Sequence, residues 1–190
     1  MGVATRSAAP LQGSAETRGR FVSYRNKTYV AFASEDIKQY WLMEAWRDND
    51  KIDFNFFDAH DLYKARDSSQ PESIKARLRE RIGNAKQIVL LGSRTSRRKG
   101  GNGDSFLAYE VGAAIRLKLP VVVANLDGDR NIDREFIPQP FLDADYYTVS
   151  VSFQPAIIRY ALDNYAVNFA SSDKSGPHYY KEKVYADLGL

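Results

Sequence analysis

The stretch GDSFLAYEVGAAIRLKLPVVVANL, residues 103 to 126, decides the fold class. From Phe106 onward it is an apolar-rich run with helical spacing, and Asp104 or Ser105 stands where a helix N-cap belongs. From Pro120 it becomes PVVVANL, a Val-rich run that reads as a buried strand. A helix leading straight into such a strand is half of a parallel βαβ unit. One residue breaks the pattern. At 100° per residue, Leu107, Val111, Ala114 and Ile115 define the apolar face of the helix, and Glu110 falls roughly 80° to one side of its centre. A carboxylate at that boundary is either an ordinary helix residue or a group placed for chemistry. The pattern leaves both readings open.

Working outward, the same alternation recurs. Residues 28–33, TYVAFA, read as a strand, followed by Ser34 as an N-cap and Asp36 in the first turn of a helix with Ile37, Tyr40, Trp41 and Ala45 on one face. DFNFFD, residues 53–58, alternates as a second strand. The polar AHDLYKARDSSQ, 59–70, is a longer loop than usual between strand and helix. Pro71 opens a helix whose buried stripe is Ile74, Leu78 and Ile82, and Gly83 is expected to end it. QIVLLG, 87–92, is a third strand, and SRTSRRKGGNGDS, 93–105, reads as a flexible, basic, glycine-rich loop. YYTVSV, 146–151, is the fifth strand after 120–126, and QPAIIRYALDNYAVNF, 154–169, is the last helix.

Strand and helix alternating in this way call for right-handed βαβ units. The expected fold is α/β: a flavodoxin-like, doubly wound, mainly parallel five-stranded sheet with helices on both faces. It occupies residues 27–170, after a flexible N-terminal tail (1–26) and before a weakly patterned C-terminal extension (171–190) whose aromatic residues are expected to dock on the body. Ligands of such sheets bind at the carboxyl ends of the strands. Here these ends are Ala33–Asp36, Asp58–Asp67, Ser93–Ser105 and Asn125–Asp129.

Composition narrows the chemistry. The chain of 190 residues has no Cys, so it offers no disulfide, no thiolate nucleophile and no zinc-cysteine site; a reducing, cytoplasmic location is the expectation. No apolar run reaches the roughly 20 residues of a membrane helix, and the first residues lack the apolar core of a signal peptide. The net charge of +3 resides in residues 1–26, where Arg6, Arg18, Arg20 and Arg25 oppose Glu16. The rest is balanced, which argues against a phosphate-tracking nucleic-acid groove, and neither a nucleic-acid nor a membrane partner is expected.

Motifs narrow it further. There is no G-x-G-x-x-G, and GSRTSRRKGG lacks the G-K-[ST] ending of a P-loop. No G-x-S-x-G nucleophile elbow occurs. DAHD, 58–61, is the one cluster with metal-ligand character, and no metal is expected. A phosphoryl-accepting receiver domain would use Asp58, with Glu35 and Asp36 as the acidic pair. It also needs a Lys after the fifth strand, and YYTVSVSFQP contains none.

The ordered set YVAFASED, FNFFDAHDLYKARDSS, IVLLGSRTS and SFLAYEVGAAI resembles the TIR-like domains of Thoeris ThsB-type bacterial anti-phage proteins, over roughly residues 28–165. In TIR enzymes a catalytic Glu lies four residues after an aromatic, and Phe106 and Glu110 match that spacing. Phe32 and Asp36 match the family's first-strand aromatic and acid, with Ala33 and Ser34 between them. Phe57 and Asp58 match the strand-end pair, and Ser93 matches the Ser closing the third strand. Ala31 and Ala33 depart from the polar residues common in that loop, and the glycine-rich stretch 100–103 reads as an insertion.

The resemblance implies a TIR-like fold and cleavage of NAD, as substrate and not as cofactor, between nicotinamide and ribose, with Glu110 catalytic and the other matched residues binding substrate. Glycoside cleavage passes through an oxocarbenium-like state and usually needs a second carboxyl to protonate the leaving group. Nicotinamide leaves a pyridinium as a neutral base and needs no acid, so one Glu suffices. The implied product is ADP-ribose, a cyclised form or a conjugate, acting as a signal for a downstream effector protein; self-association is a further implied property. Two other readings stand beside this one: a catalytically silent TIR-like interaction module using helix faces and the 59–70 loop, and a nucleoside deoxyribosyltransferase-like enzyme, which also works through a Glu.

Overall fold

The computed structural model describes residues 27–54, 56 and 71–190. Five parallel strands form one sheet: β1 (Thr28–Ala31), β2 (Gln87–Gly92), β3 (Val121–Asn125), β4 (Thr148–Ser152) and β5 (Pro177–Tyr179), adjacent in that order. The register sets Val30 beside Val89, Val89 beside Val122 and Val122 beside Val149. Among the described residues, seven helices surround it: α1 (Ile37–Arg47), α2 (Pro71–Asn84), α3 (Arg94–Gly100), α4 (Phe106–Arg116), α5 (Gln139–Asp143), α6 (Pro155–Asn168) and α7 (Glu182–Asp187). The α/β reading therefore holds, with helices on both faces.

Successive strand residues point to opposite faces, and each face has its own core. Val30, Leu91, Val122 and Val151 pack with Tyr40 and Met43 of α1 and with Ile157, Ile158 and Leu162 of α6. Tyr29, Ala31, Leu90 and Val123 pack with Leu78 and Ile82 of α2, with Leu107 and Val111 of α4 and with Phe141 of α5. Residues of β2 and β3 are almost fully buried, each Val or Leu contributing about 1.5–3 kcal/mol of apolar burial.

Several local expectations are corrected. Residues 53, 54 and 56 of the anticipated second strand are not in a strand; the remainder of 53–58 (55, 57 and 58), like the 59–70 loop and the DAHD cluster, falls wholly or almost wholly outside the described residues. Among the described residues, one strand of the sheet comes from the C-terminal extension, where β5 pairs with β4. Ser34–Asp36 form a 3-10 turn, and α1 begins only at Ile37 without a side-chain cap. Helix α2 runs through Gly83 to Asn84.

The supposed loop 93–105 is largely helix. Ser93 and Ser96 form a capping box at the start of α3. Arg97 donates to Ile137 O at 2.9 Å and to the backbone of Arg134, tying α3 to the segment before α5. A Cβ on Gly100 would stand 2.6 Å from Pro138 Cγ, so glycine there permits the close approach.

The connection β3 to β4 runs through α5 on one face, and β4 to β5 through α6 on the other. Both steps move the same way along the sheet, so the two crossovers have opposite hands and one departs from the right-handed rule. Helix α6 packs over β3 and β4, leaving β5 as a three-residue edge strand.

Candidate functional site at the carboxyl ends of β1 and β2

From β1 the chain turns to α1 on one face, and from β2 it turns to α3 and α4 on the other. The loops part between two neighbouring strands, which opens a crevice at the place where α/β sheets bind ligands. A cavity of about 670 Å³ occupies it, within the roughly 300–1,000 Å³ of small-molecule sites. Three walls line it: Phe32, Ala33 and Ser34 after β1, Ile74, Arg77, Leu78 and Arg81 of α2, and Lys99 with residues 104–107 across the junction of α3 and α4. Glu110 also lines it.

Glu110 is 5% exposed. Leu107, Glu110, Val111, Ala113 and Ala114 are all buried, so the buried stripe of α4 centres between Glu110 and Ala114. The expected face included Ile115, which is only half-buried, and this drew its centre away from Glu110. Tyr29 Oη donates to Glu110 Oε1 at 2.6 Å, while Oε2 is buried without a hydrogen-bond partner among the described residues. Burial pushes the carboxyl up to about 8, opposed more weakly by the Tyr29 hydrogen bond. At neutral pH the group is mainly protonated, and a cation placed beside it would draw the proton off.

The walls are tied together. Ser93 Oγ accepts from Ser96 N and donates to Asp36 Oδ2 at 2.7 Å. Burial raises the Asp36 carboxyl, and the Ser93 hydrogen bond works against that. Lys99 Nζ reaches Ser34 Oγ at 3.0 Å and Glu35 Oε2 at 2.7 Å, and its hydrogen bond holds the Glu35 carboxyl low. Ser105 caps α4 by accepting from Ala108 N and donates to Lys99 O. Phe32 stacks on Tyr40 with ring centroids 4.9 Å apart.

Of the residues selected from sequence, Phe32, Ala33, Ser34, Phe106 and Glu110 line the cavity. Asp36 and Ser93 bond to each other, and neither is part of the lining. Phe57 and Asp58 lie outside the described residues. Phe106 is 41% exposed at the mouth, a flat apolar surface on which a ring can stack. Sequence reasoning missed the α2 wall. Ile74 and Leu78 were legible as a helix stripe, and Arg77 and Arg81 at the same spacing were the signal that this stripe meets a mouth as well as a core.

With this geometry in place, comparison with known families is decisive. Residues 21–131 match the family described as Thoeris protein ThsB, TIR-like domain. The chain belongs to that family. No curated protein matches it. The matched stretch holds β1 to β3 and every lining residue of the cavity, whereas β4, α6 and the C-terminal extension lie beyond it. This ThsB-type chain is thus a TIR-like protein of a defence-related family, and among its described residues no helix is long and apolar enough to cross a membrane.

Proposed function

We propose that this chain cleaves NAD at the bond between nicotinamide and ribose, with Glu110 as the catalytic carboxyl, and releases an ADP-ribose-derived signal for an effector protein in anti-phage defence within the cytoplasm. The observation that carries the reading is the state of Glu110: buried, held by one oxygen, with the other unpartnered among the described residues, in the lining of a cavity of small-molecule size. A pyridinium ring supplies the cation that ionises such a group on binding. As nicotinamide departs, the carboxylate stabilises the positive charge that moves onto the ribose. Water, a hydroxyl of the same molecule or another nucleophile then takes C1 of the ribose. No acid is needed for the leaving group, which fits a cavity where Glu110 is the one deeply buried carboxyl among the described lining residues.

Mass spectrometry of NAD incubated with the full chain, with and without lysate of phage-infected cells, tests this directly. Nicotinamide release by the wild type and none by Glu110→Gln supports it; intact NAD in every tube removes it. Trp41 and Leu42 on α1, 53% and 44% exposed, favour a second reading, a self-associating interaction module. That module would tolerate Glu110→Gln without loss of function.

A further inference from the structure

The α2 wall carries chemistry that Glu110 does not account for. Ile74, Arg77, Leu78 and Arg81 follow the i, i+3, i+4, i+7 spacing of one helix face, and all four line the cavity. Ile74 and Leu78 form the apolar floor. Arg77 is exposed and Arg81 is half-buried; both line the cavity, and their backbone positions lie about 6 Å apart along the helix axis. Long side chains on one helix turn can converge on a single polyanion, and guanidinium forks match phosphate oxygens in pairs. Lys99, which also lines the cavity, bonds to Glu35 and Ser34. The cavity is therefore amphipathic, with an arginine pair on α2 at one edge and Glu110 with Phe106 on α4 at another.

We propose that Arg77 and Arg81 form an anion subsite for the diphosphate of a dinucleotide, seating the ligand so that its glycosidic bond faces Glu110. This rests on the NAD-cleavage reading for what lies at Glu110, but the diphosphate requirement is tested apart from turnover.

The test is calorimetric titration of the full chain with ADP-ribose, alongside Arg77→Gln, Arg81→Gln, the double variant and Arg81→Lys, each checked by thermal melting. Glutamine keeps the helix propensity of these solvent-facing positions. Loss of one charge-assisted hydrogen bond per arginine weakens ADP-ribose binding about tenfold or more for each, and Arg81→Lys recovers part of it. Wild-type binding weakens as salt rises, and the double variant loses that slope. Nicotinamide riboside, which has no phosphate, binds wild type and double variant alike. ADP-ribose binding that is unchanged in the double variant, or absent from the wild type, overturns the subsite. Arginine-dependent ADP-ribose binding with NAD left intact keeps the subsite and removes the cleavage reading. NAD turnover with KM unchanged in the double variant does the reverse.

Discussion

Tyr29 on β1 and Glu110 on α4, separated by 81 residues in the chain, share a buried hydrogen bond of 2.6 Å. The phenol donates, so it favours the ionised carboxylate and fixes which oxygen remains available to a ligand. Tyr29 itself is fully buried and does not line the cavity, which makes it a positioning residue.

Tyr29→Phe preserves the packing and removes only the donor. If Glu110 works as proposed, kcat for NAD falls about 10- to 100-fold, the worth of a hydrogen bond to a charged group, with KM nearly unchanged. The acid limb of the pH profile also moves to higher pH, because the interaction that favoured ionisation is gone. Steady-state kinetics from pH 6 to 9 reads both effects, and an unmoved limb would reduce Tyr29 to a packing role.

The pH dependence of the wild type follows from the carboxyl at about 8. For NAD, kcat/KM reports the free protein, so it climbs as pH rises to about 8 and then levels. The kcat limb lies lower, because bound pyridinium favours the carboxylate. Coincident limbs would mean that the substrate cation does not reach Glu110.

Stability carries the opposite trend. Glu110 ionises near the ordinary glutamate value of 4.5 when unfolded and only at about 8 when folded, so between these values the folded state holds the proton more tightly. Burying the neutral acid is compatible with folding below about 4.5; its ionisation then erodes stability as pH rises to about 8, with no further loss above. Urea unfolding at pH 5 and pH 8 should show this decline in the wild type and a shallower one in Glu110→Gln. Parallel slopes would show that Glu110 is not buried as described.

Ser93→Ala removes the capping box of α3 and the hydrogen bond to Asp36 together. A loss of about 1–2 kcal/mol is expected by denaturant unfolding, the upper part of the range for an N-cap. The Asp36 carboxyl rises further once Ser93 no longer donates to it.

Tyr185 tests whether the C-terminal extension belongs to the folding unit. It is fully buried, its oxygen accepts from Ser152 N at 3.1 Å, and Arg130 lies 4.5 Å over its ring. Tyr185→Ala should cost about 3–5 kcal/mol, whereas Tyr185→Phe should cost about 1. Equal, small effects would mean that α7 is only loosely docked.

The sequence by itself determined the α/β class, because continuous apolar runs at 87–92 and 120–126 can be satisfied only in strands covered on both faces. It also determined that Glu110 lies near the carboxyl ends of the strands, since the helix that carries it starts there. Its reading of 93–105 failed because basic residues and glycines look alike in a loop and in a short helix; the cap pairing Ser93 with Ser96 and the anchoring of Arg97 on backbone carbonyls are not periodic signals. The β5 strand was illegible for a related reason: Pro177–Tyr179 is too short to alternate and exists because β4 offers an open edge. Tertiary structure alone decided the burial of Glu110. A helix wheel locates a face only relative to its own apolar residues, whereas β1, by bringing Tyr29 up to α4, fixed which side meets the core. The same docking turned the stripe of α2 into a cavity wall, with Arg77 and Arg81 in its lining.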